Sequence, residues 1–136
     1  MNESSKPRAS GINHVALEVG NIEEALSFYG RILEFELRSQ SEEMAFIDLG
    51  DQFIALSRGR EQPADESRHF GLVVDDKEAV RQLLNNQGIE IVSDRFLDFY
   101  DPWGNRIQVV GYDEIEFTKS DAVLNEMGID DELVKT

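Results

Sequence analysis

His14 and His69 are the only two histidines in the chain, and each opens the same pattern, H-V-A-L-E-V at 14–19 and H-F-G-L-V-V at 69–74. A neutral imidazole can hold a divalent ion or move a proton near neutral pH. One strand histidine alone is more readily a hydrogen-bonded core residue. As a pair at equivalent places beside Ala16 and Gly71, the two rings favour one shared site. Asp48 and Glu18 are expected on the histidine face and could add a carboxylate, although acids near a rim are often solvated. Phe46, Phe53, Phe96 and Tyr100 fall on that face by strand parity, beside the small Ala55, as walls of an apolar small-molecule pocket; core filling is the plainer role for any one of them. Trp103, in the D-P-W-G-N turn, either closes over the pocket or packs. Arg106 meets an anionic substrate or pairs with Asp98, and pairing is favoured.

Alternation places Val15, Leu17 and Val19 on one face of a strand and His14, Ala16 and Glu18 on the other. Asn21 is placed to cap a helix over 22–33, which covers the aliphatic side. Strands are expected at 35–39, 44–49 and 52–57, the last two joined at Gly50-Asp51. Ala45, Ile47, Leu49, Ile54 and Leu56 should face the helix. The pattern then restarts: a strand at 68–74, a helix at 75–87 burying Val80, Leu83 and Leu84 with Gly88 at its end, and strands at 89–92, 95–100 and 106–110. The organisation is therefore a loose polar start over 1–10, a first unit at 11–58, a linker at 59–67, a second unit at 68–112, and a C-terminal helix around 120–127 with an acidic tail over 113–136.

The chain has 136 residues, with 28 acidic against 13 basic side chains and a net charge of −15. That charge repels nucleic acid phosphates and anionic membranes, so neither is an expected partner. Absence of cysteine removes disulfides, thiolate metal sites and cysteine nucleophiles. With no apolar leader near the start and no apolar run of membrane length, a cytoplasmic protein is expected.

Two βαβββ halves, each headed by a strand histidine, resemble the glyoxalase, bleomycin-resistance and extradiol-dioxygenase (vicinal oxygen chelate) superfamily. The resemblance rests on I-N-H-V-A-L-E-V-G-N-I-E-E-A-L-S-F-Y-G-R-I-L at 12–33 and D-P-W-G-N-R-I-Q-V-V at 101–110. It implies an α+β fold of two modules forming a cupped, mostly antiparallel sheet with helices outside. It also implies a metal in the cup, held from the first and last strand of each module. Carried over, those positions are His14, His69, Ala55 and Gln108. Catalytic family members usually have glutamate in place of Gln108, and lactoylglutathione-type glyoxalases also in place of Ala55.

His14, His69 and Gln108 then form a ligand set without an anion, suited to a weakly held Zn, Ni or Fe ion rather than to hard oxygen-seeking cations. The missing carboxylates argue against lactoylglutathione isomerisation, which needs such a base, and make a dioxygenase the lesser reading. Two functions stay open: a metal-dependent lyase or isomerase acting on a small molecule, and a metal-free protein that sequesters one in its aromatic cup. The resemblance further implies a homodimer.

Overall fold

The computed structural model describes residues 6–93 and 95–112. The expected tail helix at 120–127 lies outside them. The first module runs β1 (His14–Val19), α1 (Ile22–Gly30), β2 (Glu36–Gln40), β3 (Met44–Asp48) and β4 (Phe53–Arg58). Its strands lie in the order β1-β4-β3-β2. β1 runs parallel to β4, while β4, β3 and β2 are antiparallel. The second module repeats this with β5 (Phe70–Val74), α2 (Lys77–Asn86), β6 (Leu97–Tyr100) and β7 (Arg106–Gly111), ordered β5-β7-β6.

Capping explains where the helices begin. The Asn21 side chain accepts from the Glu24 amide at 2.8 Å, and Asp76 accepts from the Ala79 amide at 3.0 Å, each satisfying an N-terminal N–H that has no intrahelical partner. α2 therefore starts two residues later than expected. It ends in a left-handed Gly88, φ +68°, with Gly88 N bonding to Asn85 O and Ile89 N to Leu84 O. That ending accounts for one correction: 89–92 is not a strand. The Ile89 amide is committed to the helix end, and one bond, Val92 N to Asp98 O at 2.9 Å, ties the run to β6. Ile89 and Ile91 still pack against the core.

Leu17 and Val19 of β1, Ile54 and Leu56 of β4, and Ala45 and Ile47 of β3 are buried, as strand parity requires. Leu49 follows β3 and lines a helix-side cleft with Ile47 and Ile54, as expected, while staying 43% exposed. Leu83 is corrected: it lies outside the buried stripe of α2, which consists of Val80 and Leu84. The modules share one core. Phe28 of α1 meets Phe99 of β6 with ring centroids 6.2 Å apart, and Tyr29 donates to Asp101 at 2.8 Å.

The linker is strapped down. Arg60, with 4% of its side chain exposed, pairs with Asp65 at 3.4 Å and also donates to Asn105. Asp65 N bonds to Gly104 O at 2.8 Å, and Asn105 reaches the Glu18 carbonyl at 3.0 Å. These bonds fix the D-P-W-G-N turn against the end of β1.

Candidate active site

Each sheet turns one face away from the helices, and those faces carry the expected site residues. On the first sheet the register aligns His14, Phe53 and Asp48 in one row and Ala16, Ala55 and Phe46 in the next. The His14 ring stacks on Phe53 with centroids 4.8 Å apart at 13°, and Phe46 lies 5.1 Å from Phe53. Arg38, at the β2 bulge, lies 5.8 Å from the Phe53 centroid and pairs with Asp48 at 3.1 Å. Asp48 is thereby engaged, and Arg38 is a site-face cation that alternation alone does not locate, because the bulge shifts the register.

On the second sheet, Gly71, Gln108 and Asp98 form one row. His69 stands just before β5, and Arg106 pairs with Tyr100 in the next row. Arg106 donates from Nε to Asp98 Oδ2 at 2.9 Å and from Nη1 to the Glu66 carbonyl, so it pairs, as favoured. Its pKa is raised, first by the hydrogen bond to Asp98. The Tyr100 hydroxyl donates to the Asp65 carbonyl at 2.5 Å. Phe96 lies outside β6, 46% exposed beneath the Arg95 guanidinium. Trp103 packs instead against the β1–α1 turn, where a Cβ on Gly20 would come within 2.4 Å of its Nε1.

Both imidazoles are oriented alike. His14 Nδ1 lies 2.8 Å from Asn13 Oδ1, and His69 Nδ1 lies 2.8 Å from the Ser67 carbonyl. Those oxygens accept, so each contact suits a ring that donates from Nδ1; in the neutral ring this leaves the lone pair on Nε2, the tautomer a metal ligand needs.

Within one chain, however, the two rings do not line one hollow. His69 lines a hollow of about 120 Å³ with Ala16, Glu18 and Arg106, and His14 is not among its walls. Among the described residues no group of three or more His, Cys, Asp or Glu is placed to hold a metal. A larger cleft of about 360 Å³ lies on the helix side, walled by Ile32, Phe35, Leu72 and Val80. It contains none of the expected site residues.

By donor chemistry, two imidazoles, one neutral amide and one buried carboxylate oxygen without a partner, Asp98 Oδ1, would suit a borderline divalent ion once brought together.

Paired βαβ-type modules with helices on one side and a histidine heading each sheet's open face define a protein of the glyoxalase-module class. The chain belongs to the glyoxalase/bleomycin resistance protein/dioxygenase superfamily, whose model matches residues 11–109. It is 28% identical over 112 residues to a metallothiol transferase, FosB, of Staphylococcus saprophyticus, covering 72% of this chain and 74% of that one. Two solved structures share the fold. One is a lactoylglutathione lyase from Agrobacterium tumefaciens, with 18% identity, TM-score 0.66, and 82% and 100% of the two chains covered. The other is a fosfomycin resistance protein, FosX, from Listeria monocytogenes in complex with Mn(II) and sulfate, with 17% identity, TM-score 0.65, and 75% and 92% covered. No helix among the described residues is long and apolar enough to cross a membrane.

Proposed function

We propose that this chain is a divalent-metal-dependent enzyme that modifies a small molecule, with His14, His69 and Gln108 as ligands and Phe46 and Phe53 as the apolar wall beside them. The observation that carries this reading is the matched orientation of the two imidazoles, each with Nδ1 against an oxygen and, in the neutral ring, the lone pair on Nε2. A bound ion would polarise a substrate oxygen and stabilise negative charge on it. Since His14 does not line the hollow that His69 lines, the proposed cup is one completed by a second copy, with His14 of one subunit meeting His69 of the other.

Likeness to a metallothiol transferase moves the reaction from the lyase or isomerase first expected toward transfer of a thiol to the substrate. The chain contains no cysteine, so the sulfur comes from a cosubstrate. Isomerisation by proton transfer is less well supported, since Ala55 and Gln108 offer no base. The second reading, metal-free sequestration, is favoured by the stacked His14–Phe53–Phe46 layer, a ready platform for a planar compound.

Elemental analysis of protein purified without chelators separates the two. The enzyme reading expects close to one metal per chain, lost in His14→Ala and in His69→Ala. Metal-free wild-type protein that still binds aromatic ligands would overturn it in favour of sequestration.

A further inference from the structure

Asp98 is the one buried side chain with an unpartnered polar atom among the described residues. It is 2% exposed. Its Oδ2 is gripped by Arg106 through Nε and Nη2, both at 2.9 Å, while Oδ1 accepts no hydrogen bond. Burying a polar atom unpaired costs about 1–3 kcal/mol, and more for a charged group. Folded proteins keep such an atom mainly where a ligand, an ion or a catalytic role uses it.

Register shows what lies beside it. Asp98 is directly opposite Gln108 on β7, and Gly71 flanks Gln108 on the other side. Directly opposed side chains have Cβ atoms about 4.5–5.5 Å apart. The Gln108 amide makes no hydrogen bond among the described residues. Gly71 leaves its flank open, since a Cβ there would meet only Val110 Cγ2 at 3.8 Å. His69 stands two residues before Gly71, just ahead of β5, with its Nδ1 against the Ser67 carbonyl.

We infer that Asp98 supplies the carboxylate of the metal site: Oδ1 joins Gln108 and His69 as a donor, and Arg106 fixes the carboxylate through Oδ2. This rests on the metal-dependent reading above and adds the anion that Gln108 cannot provide. A ligating carboxylate is usually itself held by a hydrogen bond on its other oxygen, which is the service Arg106 performs. The arrangement also explains a neutral residue at 108. A second carboxylate there would crowd Asp98 against a single guanidinium and raise the cost of ionising both. The charge of Arg106 opposes an incoming cation, so the site binds more weakly than one whose carboxylate has no cationic neighbour.

The test is Zn²⁺ titration of the metal-stripped full chain by calorimetry, with excess Mg²⁺ present to occupy surface carboxylates. Asp98→Asn is expected to weaken Zn²⁺ binding at least tenfold, and Asp98→Asn/Gln108→Glu, which returns the carboxylate to β7, to regain most of that loss. If Asp98 serves only to hold Arg106, Asp98→Asn lowers the melting temperature and leaves Zn²⁺ affinity unchanged, which overturns the assignment. Loss that the double variant does not regain also overturns it. No Zn²⁺ uptake by the wild-type chain removes the metal reading itself and this inference with it. Should Asp98→Asn fail to fold, the wild-type protein still decides: the Asp98 carboxyl ¹³C resonance must shift on stoichiometric Zn²⁺, and a stationary resonance refutes the assignment.

Discussion

Tyr29 shows how one side chain can join the modules and make stability depend on pH. Its hydroxyl donates to Asp101 Oδ2 at 2.8 Å, and Asn105 Nδ2 donates to the same oxygen at 2.8 Å. Tyr29→Phe therefore leaves Asp101 one partner there, and a loss of about 1 kcal/mol is expected by urea unfolding at pH 7. Burial, followed by the Asp101 charge, holds the Tyr29 pKa well above its ordinary value. The unfolded chain loses this proton near pH 10 (roughly the free tyrosine value), whereas the folded chain retains it. The contribution is thus complete below about pH 10 and is lost as pH rises toward the folded value. Between pH 9 and 11 the wild type should lose stability faster than Tyr29→Phe, and parallel curves would mean that Tyr29 is not the responsible group.

At the scale of elements, the turn between β6 and β7 locks the halves together, and its tolerance of substitution measures that lock. Gly104 has φ +92°, and a Cβ there would come within 2.6 Å of the Ala64 Cα in the linker. Gly104→Ala meets both backbone strain and a backbone clash, so a loss of about 2 kcal/mol or more is expected from urea unfolding. Gly30, at the end of α1, has no atom within 4 Å of its Cβ position. Gly30→Ala should be neutral or stabilising by up to about 1 kcal/mol, from helix propensity alone. Equal losses in both variants would show that the strap does not hold the turn. Much of this architecture is legible in the chain itself: the alternation at 14–19, the Asn21 cap and the restart at His69 all reappear in space. The run at 89–92 misleads because β-branched composition cannot reveal that the Ile89 amide already serves the end of α2. Arg60 reads as an ordinary loop cation, since nothing local distinguishes a buried arginine from a solvated one. Asp98 could have been found by counting outward from the D-P-W-G-N turn, which sets it opposite Gln108. That Oδ1 would stand unpartnered requires the placement of Arg106, a matter of side-chain packing rather than pattern.

For the whole molecule, the decisive question is which two histidines share a site. His14 heads β1, whereas the hollow beside His69 meets β1 along Val15, Ala16, Leu17 and Glu18. His14 itself is not among its walls, so one chain does not seat the pair in that hollow. In the composite site proposed above, a symmetric dimer would pair His14 of each subunit with His69 of the other, twice over. Mixing two inactive variants tests this directly. His14→Ala and His69→Ala homodimers each lack a ligand in both sites, yet a heterodimer of the two has one site with both histidines intact and one with neither. After unfolding and co-refolding at equal concentration, about half of the dimers are mixed, so roughly a quarter of wild-type metal binding should return. Sedimentation should give twice the 15.5 kDa chain mass before and after mixing. A dimer of that mass with no recovery would place both histidines of a working site in the same chain. A monomer would remove the second subunit from the site altogether.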